Sequence, residues 1–245
     1  MTQRLCFADA REAADLAAFL ARLIHYDRAA AVRLQAGGGV LGVFGRPPSF
    51  EVLAIRTARL AEPVELDVTV SAGQLADALD AGAPASSGAL EITIPEAVTG
   101  PPWAGVLPPR GGWRRVEGFP GAEAVRGAVA AAVAEFRARD EALPEHRRTR
   151  AERDRIGREI WSRTLGDTGL PLRAVHAAQS LGFLRPAVRA GAMAGGAGPV
   201  TAAAPEEPVL FAARGWLRLR TPYGSVAVSV SPAGSGLRGL TVTPA

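Results

Sequence analysis

Residues 9–26 read DAREAADLAAFLARLIHY and decide the fold of the N-terminal half. Asp9 followed by Glu12 forms a D-x-x-E pattern, in which the two side chains can cap the first turn of a helix. Apolar residues then recur at helical spacing, at Leu16, Phe19, Leu20, Leu23 and Ile24. The stretch predicts an amphipathic helix from about Asp9 to Tyr26, whose apolar side packs against the strands that follow it.

β-prone segments follow this helix. Residues 31–45, AVRLQAGGGVLGVFG, predict a hairpin around a triple glycine, and residues 50–60 and 64–71 predict two further strands. Ser71 and Gln74 form a second capping pattern that begins a short helix through Leu75 and Leu79. Residues 89–95, ALEITIP, predict another strand. The expected order is one helix, about four strands, a helix and a strand.

Helical patterns dominate the middle of the chain. Residues 121–143 predict a helix with an apolar stripe at Val125, Val129, Val133 and Phe136. Thr149 and Glu152 form a third capping pattern, before a helix through Ile156, Ile160 and Trp161. A short helix follows, with Pro171 in its first turn and Gly182 at the position of a C-terminal glycine cap.

The sequence therefore predicts an α+β fold. Residues 1–100 are expected to form an αβ sheet domain with its amphipathic helix, 101–120 a connecting loop, and 121–189 a helical region. Residues 190–208 are rich in alanine, glycine and proline and predict a flexible linker. Residues 209–245 predict three antiparallel strands, with residues 222–224 (PYG) at the first turn.

Composition limits the classes of function. The chain has 245 residues, of which 48% are hydrophobic, with one cysteine and no apolar run of the roughly 18 residues that a membrane span needs. A cytoplasmic protein without a signal peptide or membrane segment is expected.

All basic residues are arginine. Residues 1–95 hold 8 arginines against 11 acids, and residues 96–245 hold 20 against 13, so the second part carries a net charge of +7. This asymmetry suggests an anionic partner for the second part.

Catalytic, metal-binding and cofactor-binding patterns are weak. Gly37, Gly39 and Gly42 match G-x-G-x-x-G, but β-prone residues flank them on both sides and a hairpin turn is the better interpretation. The three histidines are far apart in sequence, and Cys6 lies in an apolar, strand-like context typical of an inert buried thiol. His176 and Ser180 are one helical turn apart, without an identifiable third group. No catalytic residue, metal ligand or cofactor is assigned.

Residues 101–120 read PPWAGVLPPRGGWRRVEGFP and place two tryptophans in an irregular segment. Trp103, among prolines and apolar residues, is typical of an anchor that pins a loop. Trp113 is flanked by Arg110, Arg114 and Arg115. It could equally be an anchor or a platform on which a base stacks while the arginines meet phosphates.

An arginine run covers residues 146–163, HRRTRAERDRIGREIWSR. Arg148–Glu152 and Arg155–Glu159 have the i, i+4 spacing of helical ion pairs, which is typical of a solvated helix face. Arg147, Arg148 and Arg150 stand at its start with fewer local partners and are kept as candidates for a nucleic-acid contact. Arg173 is a further candidate, because the short helix at 172–181 and the following strands resemble a winged helix-turn-helix. Its alanine-rich sequence favours packing against neighbours instead.

Two resemblances extend beyond single motifs. The element order of the first 95 residues, with a strand running directly into a capped helix at VTVSAGQLADAL, resembles one repeat of the sliding-clamp processivity fold. The tryptophan loop and LPLRAVHAAQSLGFL together are similar to an uncharacterised protein family confined to actinobacteria. That second resemblance implies no activity and no site residue.

These observations favour a non-catalytic binding protein that uses its arginine-rich second part for an anionic partner such as nucleic acid. The alternative is a protein-interaction or assembly module that forms a homo-oligomer, and an enzyme of unidentified chemistry comes third. Steep salt dependence of binding distinguishes the first from an apolar protein interface.

Overall fold

The computed structural model describes residues 3–84, 89–185 and 207–230. Within these ranges the helices are α1 (Ala10–Tyr26), α2 (Ala72–Asp80), α3 (Ala122–Glu141), α4 (Arg150–Ser162) and α5 (Leu172–Ser180). The strands are β1 (Arg4–Phe7), β2 (Ala31–Gly37), β3 (Val40–Gly45), β4 (Leu53–Arg59), β5 (Leu66–Ser71), β6 (Ala83–Pro84), β7 (Leu90–Thr93), β8 (Arg114–Arg115), β9 (Val209–Ala213), β10 (Trp216–Thr221) and β11 (Gly224–Ser229). The α+β class predicted from the sequence is confirmed.

Helix α1 begins and ends where its sequence predicts. The Asp9 carboxylate accepts hydrogen bonds from the backbone N–H groups of Arg11 and Glu12, both at 2.9 Å, so two donors of the first turn are satisfied. The helix buries the residues of its apolar stripe, Ala13, Leu16, Phe19, Leu20 and Leu23. Burial of that stripe places α1 against the sheet.

Eight of the described strands form one antiparallel sheet in the order β5-β2-β3-β4-β11-β10-β9-β8. The predicted hairpin of β2 and β3 is present, and Gly38 and Gly39 occupy its turn with φ of 58° and 79°. A two-residue turn with positive φ at both positions matches the twist of the strands it joins, and glycine adopts it without strain. The sheet thus combines a local hairpin turn with pairings between residues that are distant in sequence.

Pairing of β4 with β11 joins the N-terminal strands to the C-terminal strands. Ile55, Ala54 and Leu53 lie opposite Ser225, Val226 and Ala227. Beside this pairing the buried Arg56 guanidinium donates to the Tyr223 carbonyl at 2.5 Å and to the Asp15 carboxylate at 2.8 Å. Since a buried guanidinium is costly without such partners, Arg56 helps to fix the register between β4 and β11.

One face of the sheet, here called the inner face, carries the core. Its residues alternate along each strand, as Val32 and Leu34 do in β2 or Leu217 and Leu219 in β10. They form one cluster with buried side chains of α1, α2, α3 and α5. The rings of Phe19 in α1 and Phe183 after α5 stack at 5.8 Å, so helices from both halves of the chain share this layer. The opposite face is here called the outer face.

The remaining described elements flank this layer. Strands β1, β7 and β6 form a small antiparallel sheet. Helix α4 packs on α3 through Ile156, Ile160 and Ala132. Gly182 follows α5 with φ of 75°, the left-handed conformation of a C-terminal cap, as predicted. Pro171 is the N-cap residue of α5 rather than a residue of its first turn.

The turns between the C-terminal strands lie at other positions than the sequence predicted. The first turn lies at Arg214-Gly215, which separates β9 from β10, and residues 222–224 make the second turn. The positive φ values of Arg214 and Gly215, 43° and 77°, suit a tight hairpin that the sequence analysis overlooked. Residues 231–245, which include part of the predicted strands, lie outside the described residues, as do residues 190–206 of the predicted linker.

Truncation of Leu20, which is fully buried in α1, should lower the free energy of unfolding by about 2–5 kcal/mol, because it removes buried methyl groups and leaves a cavity. Urea denaturation followed by circular dichroism measures this change for Leu20→Ala. Val106→Ala is the control, since Val106 is 64% exposed and its truncation should change stability by less than about 0.5 kcal/mol. Equal effects of the two substitutions would contradict the placement of α1.

Candidate functional site

The tryptophan-rich segment crosses the outer face of the sheet. Near its start Ala97 pairs with Val70 at the β5 edge, and a Cβ at Gly100 would lie 3.1 Å from the outer-face Thr69 hydroxyl. After the crossing, Arg114 of β8 pairs with Ala212 of β9 at the opposite edge. The residues between them therefore traverse the sheet from edge to edge, and two substructures are held together by this connection.

Residues beneath the crossing show that the outer face is covered there. Leu53, Ile55 and Ala227 alternate with inner-face residues in β4 and β11, and so point outward. All three are nevertheless buried. Burial of outward-facing apolar residues is expected beneath a covering segment, because open antiparallel sheets carry polar residues on a solvated face.

Trp113 lies where the connecting segment meets β10. Its Nε1–H donates to the Pro109 carbonyl at 2.9 Å, which closes a compact turn within the segment. The ring is half-buried, and its centroid is 6.0 Å from Cζ of Arg218. The structure thus gives Trp113 an internal hydrogen bond, as an anchor would have, together with an aromatic surface beside a guanidinium.

A cleft of about 540 Å³ opens next to Trp113, and we call it the outer-face cleft. The side chains that matter for its chemistry are Thr57 of β4, Trp113, Phe211 of β9, Arg218 and Arg220 of β10, and Ser225 of β11. They come together through strand register: Arg218 lies opposite both Phe211 and Ala227, and Arg220 lies opposite Ser225. Arg115 of β8 lies opposite Phe211 and continues the same row.

Arg218 is the unusual cation of this cleft. Its Nη2 donates to the Ser225 hydroxyl at 3.1 Å, whereas its Nε is buried without a hydrogen-bond partner. Within the described ranges it forms no ion pair with a carboxylate. Burial, and then the nearby charge of Arg220, lower the pKa of Arg218 below the usual arginine value. The guanidinium is still charged, and the surrounding protein stabilises that charge poorly.

Three other arginines near the sheet, Arg33, Arg56 and Arg59, pair with carboxylates. Arg33 on the outer face pairs with Asp67 at 2.6 Å, and this hydrogen bond lowers the pKa of Asp67. At the rim of the outer-face cleft, Arg59 pairs with Glu12 at 2.7 Å and Arg56 pairs with Asp15. The contrast with these arginines singles out Arg218 as the group that an external anion would neutralise.

The remaining candidates of residues 101–120 have distinct positions. Trp103 is half-buried in a short 3₁₀ turn whose Ala104 packs close to Gly100 above β5. Arg110 is exposed and near enough to Asp67 to contribute to its lowered pKa. Arg114 and Arg115 are exposed in β8. The segment thus places Trp113, Arg114 and Arg115 at one end of the outer-face cleft and Trp103 and Arg110 toward β5.

Ion pairs between α3 and α4 involve two arginines of the run, Arg153 and Arg163, together with Arg139 of α3. Arg139 pairs with Glu159 through two contacts of 2.8 Å, Arg163 pairs with Glu135 at 2.6 and 2.9 Å, and Arg153 pairs with Asp140 at 2.8 Å. Acids of one helix thus face arginines at the other. Part of the run therefore serves the packing of two helices. The predicted i, i+4 pair of Arg155 with Glu159 lies along α4 itself, at 3.7 Å.

The three candidates at the start of that run are separate from the outer-face cleft. Arg147, rather than Arg148, pairs with Glu152 at 3.0 Å, so the expected Arg148–Glu152 pair is wrong. Arg148 instead donates to the Leu143 and Glu141 carbonyls at the end of α3, where backbone acceptors lack helical partners. Arg150 is 95% exposed and lies 3.8 Å from Asp154.

Arg173 and His176 belong to α5, which packs against β11 and buries Ala174, Val175, Ala177 and Ala178. This burial agrees with the packing predicted from its alanine-rich sequence. Arg173 lies 3.6 Å from Glu51, and the His176 ring stacks on Trp161 with 4.3 Å between centroids. Burial lowers the pKa of His176, so its imidazole is neutral at neutral pH.

Sequence reasoning missed Phe211, Arg218 and Arg220. The signal was available in residues 216–220, WLRLR, where Leu217 and Leu219 alternate with polar or aromatic residues. Such alternation predicts that Trp216, Arg218 and Arg220 share the face opposite the core. The proximity of Trp113 to that face depends on the path of the connecting segment.

Within the described part of the chain, no group of three potential ligands is arranged to hold a metal ion. None of the helices in that part is both long and apolar enough to cross a bilayer.

Comparison with known families divides the chain at the connecting segment. A domain of unknown function, DUF8185, matches residues 108–233, which is more than half of the chain. The chain belongs to the DUF8185 family. A second domain of unknown function, DUF8010, matches residues 1–105. No curated protein and no solved structure matches the chain significantly, so the likeness to a sliding-clamp repeat stays a prediction. The two matched regions of this DUF8185 protein share one sheet.

The Arg139–Glu159 contact makes a testable electrostatic prediction. The bidentate hydrogen bond from Arg139 lowers the pKa of Glu159 to about 2. Since the folded-state pKa is lowered, this pair stabilises the protein above the ordinary glutamate pKa and loses its effect as pH falls toward 2. Arg139→Gln should raise the pKa of Glu159 toward its ordinary value, as measured by NMR titration of the side-chain carboxyl carbon.

Arg137→Gln is the matched control, because Arg137 is an exposed arginine of the same helix and contributes nothing to the lowered pKa of Glu159. It should leave the titration of Glu159 unchanged. An unaltered Glu159 titration in Arg139→Gln would show that the α3–α4 pairing is wrong.

Proposed function

We propose that the protein is a non-catalytic binding protein that takes up single-stranded nucleic acid in the outer-face cleft. The observation that carries this proposal is the partly buried Arg218 guanidinium, whose Nε has no hydrogen-bond partner and which has no carboxylate partner within the described residues. A phosphate oxygen beside this guanidinium would accept a charge-assisted hydrogen bond and neutralise its charge. Charge-assisted hydrogen bonds of this kind are stronger than neutral ones.

Aromatic groups in the same cleft support a nucleic acid rather than a simple anion. Trp113 and Phe211 both line the cleft beside Arg218. Stacking of a base on an aromatic side chain contributes about 1–3 kcal/mol and tolerates any base sequence. The cleft volume of 540 Å³ falls within the range of small-ligand sites and suits one or two nucleotides, with the strand continuing outward.

The distribution of surface charge supports a path for the rest of the nucleic-acid strand, from the cleft along β8. Arg114 and Arg115 are exposed beside Trp113 and carry positive charge out of the cleft along β8. Residues 96–245 have 20 arginines against 13 acids. A positive surface of this kind attracts a phosphate backbone. A cytoplasmic location is part of the proposal, and the single cysteine of the chain agrees with it.

Substitution of Arg218 tests the proposal. Arg218→Gln should weaken binding of a fluorescein-labelled oligothymidylate by about tenfold or more at low salt, because a charged hydrogen bond to phosphate is lost. The slope of log K against log salt should become shallower by about 0.7 for each phosphate contact removed. Fluorescence anisotropy over a range of salt concentrations measures both quantities.

Arg137→Gln again serves as the control, with the same change in net charge at an exposed position on α3. It should alter the affinity by less than about twofold, since an isolated exposed charge contributes little. Equal effects of the two variants would show that binding depends on overall charge and not on the cleft. Absence of binding by the unmodified protein at low salt would overturn the proposed function and leave a protein-interaction or assembly role.

Trp113→Phe distinguishes a stacking platform from an anchor. Phenylalanine keeps an aromatic face but cannot donate to the Pro109 carbonyl. If Trp113 is a stacking platform, Trp113→Phe should retain oligothymidylate affinity within about threefold. Trp113→Ala should lose the roughly 1–3 kcal/mol that stacking contributes to binding. Thermal melting of the same two variants gives the contribution to stability. A lower melting temperature of Trp113→Ala without any loss of oligothymidylate affinity would show that Trp113 has a purely structural role.

A further inference from the structure

A second cleft, separate from the outer-face cleft, lies where α4 and α5 meet the loop between β3 and β4. Its volume is about 610 Å³, and we call it the aromatic cleft. Phe50, Phe136, Trp161 and His176 provide its aromatic lining. A volume of this size with mainly apolar walls is typical of small-molecule sites.

The aromatic walls are fixed by contacts with one another. His176 stacks on Trp161 with an interplanar angle of 19° and meets the Phe50 ring edge-on at 5.3 Å. Phe50 in turn contacts Tyr26 of α1 edge-on at 5.6 Å. His176 and Phe50 are thus held on both sides and Trp161 is stacked on one face, so these rings lose little conformational entropy when a flat ligand enters the cleft.

Backbone conformation at the mouth of the cleft is strained. Ser49 and Glu51, which flank Phe50, have φ values of 70° and 53°. Residues other than glycine rarely adopt this left-handed backbone conformation, and those that do are concentrated at binding and catalytic sites. Here the strain presents the Phe50 ring to His176 and places Glu51 beside Arg173.

Charges around the aromatic cleft leave an excess cation. Arg153 is paired with Asp140 at 2.8 Å, and Arg173 lies 3.6 Å from Glu51. Asp154 lies 3.8 Å from Arg150. The Arg158 side chain is exposed, and its guanidinium makes no ion pair or hydrogen bond with any residue that the structure describes. In addition, the buried Nε of Arg173 has no hydrogen-bond partner.

We propose that the aromatic cleft binds a small planar aromatic ligand that carries a carboxylate. The ring of the ligand packs against Trp161 and Phe136, and its carboxylate meets Arg158 at the rim, with Arg173 as the second donor. Guanidinium groups bind carboxylates in a planar, two-pronged geometry that suits a flat ligand. This site shares no lining residue with the outer-face cleft, so it stands independently of the proposed nucleic-acid binding.

Gly157 provides a direct means of blocking the cleft. It lies in the interior of α4 and lines the cleft between two aromatic side chains. A Cβ at this position would lie 3.6 Å from Trp161 and 3.7 Å from Phe136, which are ordinary contact distances. A larger residue can therefore be introduced without a backbone clash, and it also removes the helix-weakening glycine.

The experiment uses 2-naphthoate as the probe and 2-naphthamide as its uncharged counterpart. Binding to the full chain is followed by NMR, through the indole Nε1–H signal of Trp161. We expect 2-naphthoate to shift this signal and to bind at least about tenfold more weakly to Gly157→Leu. Gly157→Ala is the matched control: it should raise the melting temperature and keep the affinity within about threefold.

Arg158→Gln tests the charge of the ligand. It should weaken the binding of 2-naphthoate by about threefold to tenfold and leave the affinity for 2-naphthamide unchanged within about twofold, because only the carboxylate pairs with the guanidinium. Circular dichroism and melting of each variant show that the fold is retained. Failure of 2-naphthoate to shift the Trp161 signal at millimolar concentration would overturn the proposal, as would equal affinity of Gly157→Leu and the unmodified protein.

Discussion

The antiparallel pairing of β4 with β11, together with the Arg56 guanidinium beside it, is the constraint on which the rest of the structure depends. Arg56 is 8% exposed and reaches both the Asp15 carboxylate of α1 and the Tyr223 carbonyl of the β10–β11 turn. Without β11, strand β4 would expose a row of unpaired backbone groups at a sheet edge. The two matched regions, residues 1–105 and 108–233, therefore complete each other's sheet, and the Arg56 guanidinium reaches its backbone partner, the Tyr223 carbonyl, only when both are in place.

Joining the regions in this way also creates the outer-face cleft. Thr57 and Arg59 come from the first region, whereas Trp113, Phe211, Arg218 and Arg220 come from the second. The crossing segment matters for the same reason, since it must connect the β5 edge to β8 and so carries Trp113 across the sheet to Arg218. The two tryptophans of this irregular segment stand at different points of the crossing, Trp103 near β5 and Trp113 beside Arg218. Nucleic-acid binding at its end is a proposal based on Arg218.

Local sequence signals predicted local structure well. The Asp9 cap, the glycine turn at residues 38–39 and the Gly182 cap act within a few residues, so each could be recognised without the fold. The arginine run was only partly predictable. The expected i, i+4 pair of Arg155 with Glu159 is present, but Arg153 and Arg163 also find carboxylates on the neighbouring helix α3, which the spacing along α4 does not reveal. Only part of the outer-face cleft could be predicted from the sequence, namely Trp113 and the arginines next to it. Arg218 is 105 positions away, and it comes close to Trp113 only through strand register and the path of the crossing. Loop paths of this kind leave no periodic pattern in a single sequence.

The central claim is that the two matched regions fold as one sheet held by β4, β11 and Arg56. Hydrogen–deuterium exchange of the full chain, compared between the unmodified protein and Arg56→Leu, tests it most directly, because exchange reports the stability of each strand separately. The account predicts that β2–β4 and β9–β11 exchange with similar protection in the unmodified protein, and that Arg56→Leu lowers protection in both sets together. Fast exchange of β4 in the unmodified protein, as for an exposed edge strand, or a loss of protection in Arg56→Leu confined to β2–β4, would contradict it.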